Sequence, residues 1–193
     1  MDRPAKKRSS HIAKISLTNM NLRASIPGII PGSEGGKRNR IPDLRKKITP
    51  MEKQQLSTPE ILQRMLEKDH FSRWLGLQID EYGPGYCRLH FRVTETMLNG
   101  FSILHGGALF AASDSALAFA CNSHGIITVA LDCSISFTRS TQAGELLTVE
   151  AKEVHLGNKI GIYDIRTTNE KGELVALFKG TAYRTSKKMG PTD

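Results

Sequence analysis

Residues 51–193 predict an α+β domain in which an antiparallel sheet wraps around one apolar helix. Three observations carry this. Residues 105–124, HGGALFAASDSALAFACNSH, are long and alanine-rich, and Asp114 is the only acid or base among them apart from the two terminal histidines. Four stretches after it read as strands. Short turns such as Gly157-Asn158 and Lys171-Gly172 join strands from this set, and short turns favour antiparallel pairing. A lone apolar helix followed by such a meander buries its surface most simply against the concave side of the sheet.

The elements follow in order. STPEILQRMLEKDHFSRWLG predicts one helix from about Ser57 to Gly76. Ser57 or Thr58 caps it, Pro59 suits its first turn and Glu60 suits the positive end of its dipole. Ile61, Leu62, Met65 and Leu66 follow the 3.6-residue period. After the turn Gly83-Pro84-Gly85, YCRLHFRV alternates: Cys87, Leu89, Phe91 and Val93 to one side, Tyr86, Arg88, His90 and Arg92 to the wet side. The central helix over 105–124 ends at Gly125. Ile127, Val129, Leu131, Cys133, Ile135 and Phe137 then alternate as one face of a long strand, and LLTVEAKEV, KIGIYDIRT and ELVALFKGTAYRT complete the set.

The net charge of +8 is an uneven sum. Residues 1–50 hold 12 Lys/Arg against 3 Asp/Glu (12 − 3 = +9), and residues 51–193 hold 15 against 16 (15 − 16 = −1). The basic character therefore belongs to the first 50 residues and gives no reason to read 51–193 as a nucleic-acid-binding domain. Segment 1–50, with AKKRSS, GGKRNR and LRKK among glycines and prolines, has too few apolar residues to offset the entropy of ordering, and disorder is expected there. Three readings of it stay open: sequence upstream of a start at Met51, an arginine-rich transit peptide, or a basic tail for nucleic acid or anionic lipid. Cys87, Cys121 and Cys133 form no CxxC pair, so neither a disulfide framework nor a zinc site is expected, and a reducing compartment, the cytoplasm, fits best. No apolar run approaches the ~20 residues of a membrane span.

His105-Gly106-Gly107 stands at the start of the central helix. The first amide N–H groups of a helix lack intrahelical partners and sit at its positive end, so they suit a developing oxyanion. Asp114 is nine residues after His105. Nine steps of about 100° and 1.5 Å place it on the opposite side and ~13.5 Å further along. Within one helix the two cannot act on one carbon. If both are catalytic, they come from two copies of the helix, antiparallel in a dimer. Phe110, Ala111, Leu117 and Ala118 surround Asp114 on the helix, and such neighbours desolvate a carboxylate and raise its pKa. The alternatives are a structural acid at 114, a helix cap at His105 and a turn residue at Asn99.

Asn99, His105-Gly106-Gly107, Phe110, Asp114 and Ala116 match N-x5-HGG-x2-F-x3-D-x-A. With ACNSHG (120–125), SFTR (136–139), VHLGNKIGIYDI (154–165) and VALFKGTAYR (175–184), residues 58–186 resemble the hotdog-fold acyl-CoA thioesterases of the phenylacetate-degradation (PaaI) type. The resemblance implies a hotdog fold, paired subunits as a dimer or dimer of dimers, and hydrolysis of an acyl-CoA thioester, aryl-acetyl-CoA favoured. It needs no cofactor beyond the coenzyme A of the substrate. It implies that Gly106 N–H polarises the carbonyl, that Asp114 of the facing subunit is nucleophile or base, and that Asn99 and His105 help set the site. Gly107 and Gly157 join the substrate-binding set. Arg139 and Lys159 are candidates for coenzyme A phosphate, with a solvated arginine or lysine as the alternative. Arg139 is followed by Ser140 where family members often carry proline. Trp74, Tyr82, Tyr86 and Phe101 are candidates for an aryl pocket or for core. An acyl-thioester hydratase or dehydratase is a weaker reading because HGGALFAAS has no proline, and a non-catalytic acyl-CoA binder is the alternative of another class.

Overall fold

The structure, a computed structural model, describes residues 56–190, so the expectations for 1–50 lie outside the described residues. Helix α1 spans Thr58–Lys68 and α2 His70–Trp74. The Glu60 carboxylate accepts from the Ser57 N–H at 2.8 Å and from its hydroxyl at 2.7 Å, so the expected cap is in place. The single helix expected over 57–76 is nevertheless two. Asp69 leaves the helical region and its carboxylate accepts from Ser72 N–H at 2.9 Å, capping a new turn; an Asp side chain offers the backbone this alternative to continuing a helix.

Six strands follow: β1 (Gln78–Gly83), β2 (Tyr86–Arg92), β3 (Ile126–Phe137), β4 (Leu146–Leu156), β5 (Ile160–Asn169) and β6 (Leu174–Lys188), with the long helix α3 (Gly106–Asn122) between β2 and β3. They form one antiparallel sheet in the order β1-β2-β4-β5-β6-β3. Its concave face wraps α3, as the sequence leads one to expect. On β2, Cys87, Leu89 and Phe91 are buried against the helix, while His90 pairs with Asp80 at 2.8 Å and Arg88 with Glu81 at 2.7 Å outside.

Strand β3 departs from its alternation. The register with β6 shifts between Ala130 and Asp132. Beyond the bulge Cys133, Ile135 and Phe137 pair with the inward residues Gly180, Phe178 and Ala176; before it Thr128 is buried, and Ala130, though exposed, pairs with the inward Ala182. Val129 and Leu131 consequently face away, 53% and 62% exposed. One extra residue in a strand inverts every side chain beyond it.

Helix α3 lies close on the sheet because small residues line the contact. Ala112, Ala116 and Ala120 are fully buried. A Cβ on Gly180 would stand 2.5 Å from a methyl of Leu117. The ring of Phe110 meets Phe178 edge-on at 5.1 Å, and Gly106 lies under Phe137. Since Phe137, Phe178 (beside Ile135) and Gly180 (beside Cys133) follow one another along the sheet, α3 runs antiparallel to β3. At its far end Asn122 clasps Thr128, accepting from its N–H and donating to its carbonyl, each at 2.9 Å. Valine at position 180 is expected to destabilise the fold by about 1–3 kcal/mol by overpacking, read as a lower urea midpoint at unchanged slope. Leu117→Ala in the same chain should recover part of the loss.

Candidate active site

The site begins with the turn before α3. Asn99 Oδ1 accepts from Phe101 N–H at 2.8 Å and from Ile103 N–H at 3.5 Å, and Asn99 N–H donates to Ile103 O at 2.8 Å. Ser102 takes φ 58° inside this turn, its N–H donating to Asn99 O. Asn99 is thus the turn residue expected of it, and it also lines the cleft described below. Leu98 bridges to Leu104, and His105 N–H donates to Met97 O at 2.8 Å, so the turn delivers residue 105 to the helix start.

His105 is the N-cap of α3. Its Nδ1 accepts from Gly107 N–H at 2.8 Å. Each glycine of the pair has its own reason. A Cβ at 107 would stand 3.0 Å from that Nδ1, and a Cβ at 106 would stand 3.0 Å from Cζ of Phe137. The cap uses the N–H of Gly107 and leaves that of Gly106 without a protein acceptor among the described residues. The free N–H is at the positive end of a 17-residue helix.

It borders a cleft of about 490 Å³ lined by Asn99, Gly106, Leu109, Phe137, Arg139 and Thr141, among others. Thr141 carbonyl accepts from Leu104 N–H at 2.9 Å, closing one side. Arg139 reaches across to Glu173 at 3.0 Å, so the guanidinium that the sequence offers to a phosphate is already paired, half-exposed, in this structure. Of the aromatic candidates, Trp74, Tyr82, Tyr86 and Phe101 do not border the cleft; Tyr86 donates to Glu150 at 2.9 Å instead. Phe137 does border it. Its place in SFTR at the end of a strand was visible, but nothing local to the sequence says that a strand residue lies across from Gly106.

Asp114 is half-buried two turns further along α3, and desolvation holds its carboxyl above the ordinary value of 3.8. It also faces Cys133 on β3, whose thiol is pushed up to about 11 by burial first and then by Asp114 and Asp132. Asp114 does not border the cleft at Gly106. Gly157 and Lys159 are more distant still: Gly157 O accepts from Arg184 at 2.7 Å and Lys159 lies over the Tyr183 ring, at the Thr128 end of β3. One chain therefore brings together Asn99, His105, Gly106, Gly107 and Arg139, and keeps Asp114, Gly157 and Lys159 apart from them. Among the described residues no group of three or more His, Cys, Asp or Glu side chains is placed to hold a metal, and no helix is long and apolar enough to cross a membrane.

A sheet wrapped around one helix, with that helix's unclaimed first N–H facing a cleft, defines the hotdog class of thioester enzymes. Residues 101–176 match the family described as the Thioesterase superfamily. The acyl-coenzyme A thioesterase PaaI of Escherichia coli is 42% identical over 120 residues, 62% of this chain and 86% of that protein. The solved structure of E. coli PaaI, from the phenylacetic acid degradation operon, superposes with a TM-score of 0.66 at 38% identity, covering 68% of this chain and 95% of the other. A protein of Streptococcus mutans solved with acetyl-CoA bound gives 0.57 at 26% identity, covering 58% and 90%. The chain belongs to the thioesterase superfamily and is a hotdog acyl-CoA thioesterase homologous to PaaI.

The raised pKa of Asp114 has a consequence for stability. The fold favours its protonated form, so the stability this group contributes is full below the unfolded carboxyl's pKa of about 4 and is lost as pH rises through the folded value. Asp114→Asn is therefore expected to melt at or above wild type at neutral pH, with the gap closing as pH falls toward 4. A variant that melts well below wild type at pH 7 would identify Asp114 as a structural acid.

Proposed function

We propose that this chain hydrolyses aryl-acetyl-CoA thioesters, hydroxyphenylacetyl-CoA among them, to free acid and coenzyme A, in active sites that two chains share. The observation that carries the reading is the separation, on one helix, of a free N–H at Gly106 from a desolvated acid at Asp114. Eight residues of rise keep them roughly 12 Å apart along the axis, too far to act on one carbonyl. Two antiparallel copies of α3 crossing near Phe110 bring Gly106 of each opposite Asp114 of the other.

Strand β3 supports such a pair. It is an edge strand twelve residues long, and an edge of that length invites pairing with another chain. Thr138 N–H donates to Val175 O at 2.9 Å. By alternation, Thr138, Ser136 and Ser134 face β6, and the backbone groups of Phe137, Ile135 and Cys133 point to the open edge. Gly106 lies level with Phe137, so Phe110, roughly 6 Å on, lies level with Ile135. A two-fold axis through both makes β3 pair with its copy about Ile135.

In this arrangement the thioester oxygen accepts the Gly106 N–H, whose fixed dipole stabilises the oxyanion as the carbonyl becomes tetrahedral. The Asp114 carboxylate of the partner subunit, made more basic by its apolar setting, either attacks the carbonyl carbon, expelling coenzyme A thiolate and leaving an anhydride that water cleaves to free acid and Asp114, or takes a proton from the attacking water and passes it to the departing thiolate; water supplies the thiol proton in the first route. Multiple turnover in ¹⁸O-water separates the routes, since only attack by the carboxylate carries label into Asp114. His105 holds the Gly107 N–H and so fixes the helix start, and Asn99 fixes the turn before it. Lys159 and Gly157 stand roughly 30 Å along β3 from Phe137 in their own chain; reversal about Phe110 brings the partner's copies to about half that distance, within reach of the coenzyme A tail, while Arg139 meets a phosphate by leaving Glu173. Residues 51–193 form the catalytic domain, as a dimer or dimer of dimers, with 1–50 an extension. The free thiols Cys87, Cys121 and Cys133 suit the cytoplasm.

Thiol release from phenylacetyl- and hydroxyphenylacetyl-CoA tests the reading. Asp114→Asn should lose about 10²–10⁴ of the rate, the worth of a general base, and stay folded; unchanged turnover would remove Asp114 from the chemistry, and a folded wild type that binds these thioesters without cleaving them would favour the non-catalytic binder. Ile135→Lys should sediment as a single chain and lose activity together with the assembly. A fully active single chain would refute the shared site.

A further inference from the structure

We infer that Phe137 is the specificity-determining residue of the site, an aromatic wall against which a flat acyl group lies while its carbonyl meets Gly106. The inference rests on the thioesterase reading and deepens it.

The contact between Phe137 and Gly106 fixes the ring. From the position of a Cβ on residue 106, Cζ stands at 3.0 Å and Cε1 and Cε2 both at 3.4 Å. These distances put that position over the ring near Cζ, so one face of the ring lies against the start of the helix and the other is turned away from it. The side chain is 53% exposed although it lies on the inward side of the sheet, beside the buried Ala176. It borders the same cleft as the Gly106 amide, and Ile103, Leu104 and Leu109 supply apolar surface there.

A thioester carbonyl held by the Gly106 N–H must extend its acyl group past this ring. An aryl group one methylene from the carbonyl meets a ring face within that reach, and offset aromatic pairs gain beyond area burial. A straight alkyl chain gains burial alone. A Cβ at residue 106 would require the ring to shift by a few tenths of an ångström away from the amide that it flanks.

The test compares two substrates within one variant. In Phe137→Leu, which keeps an apolar side chain and removes the ring, the ratio of kcat/KM for phenylacetyl-CoA to that for hexanoyl-CoA should fall about two- to tenfold, the worth of an aromatic pair. Phe137→Tyr should keep the wild-type ratio. Equal losses on both substrates in Phe137→Leu would make the ring a structural prop and overturn the inference. Calorimetric binding of the uncleavable thioethers S-phenethyl-CoA and S-hexyl-CoA reads the same ratio without turnover. If the wild type cleaves neither thioester but Phe137→Leu still shifts the binding ratio, hydrolysis fails and the aromatic wall stands. An unshifted binding ratio overturns the wall whatever the turnover.

Discussion

Close packing of α3 on the sheet is the constraint from which the rest of this structure follows. Alanines at 112, 116 and 120 and the glycine at 180 let the helix axis approach the strands. At that distance the first turn of the helix comes under Phe137, and a Cβ at 106 would stand 3.0 Å from the ring. The same approach fills the concave face of the sheet with one helix. Its remaining side, carrying Gly107, Phe110 and Asp114, is only partly covered by the sheet, Phe110 meeting Phe178 and Asp114 standing near Cys133. Packing and site are thus one arrangement: the residues that permit burial also determine which backbone amide stays free.

The two glycines after His105 divide this work. Gly107 gives up its N–H to the imidazole and by doing so terminates the helix cleanly. Gly106 keeps its own. Were the cap a serine or aspartate, its oxygen would reach the N–H of the second or third helical residue in the same way; histidine does it with a ring nitrogen and stays exposed beside the cleft. The first amides of any helix lack intrahelical partners and are ordinarily satisfied by water; that of Gly106 is open to the cleft, where a ligand oxygen can take the place of water.

The sequence made the helix-in-sheet order legible because its signals are local: alternation in β2, the alanine run of α3, Ser57 with Glu60 at the first cap. Where it misled, a single residue had changed the rule. Asp69 offered its carboxylate to Ser72 N–H and broke one helix into two. Leu131 was inserted into β3 and reversed the inward face, so that an apparently continuous apolar row splits into two rows on opposite sides of the sheet. Neither event alters the periodicity of side-chain types on which the sequence reading relied. Asn99, His105, Gly106 and Gly107 were legible for the same reason as the helix, being contiguous with its start. Phe137 was not, because its meaning depends on strand β3 returning beside α3, a contact thirty-one residues apart in the chain.

The bulge and the acid both bear on the proposal that the active site draws on two chains. In a regular strand Val129 and Leu131 would stay in step with Cys133 and Ile135 and turn inward. With the bulge, Ala130 takes the inward register, opposite the buried Ala182. Asp114 is half-buried near Cys133, without a side-chain hydrogen bond among the described residues, and nothing there lowers its pKa. A fold selected only for stability would replace such a group with asparagine or alanine, since burial of an unpaired carboxylate is unfavourable. Its retention opposite an open strand edge gains a physical rationale when a second copy closes that edge and puts a polarised carbonyl where the missing hydrogen-bond partner would be.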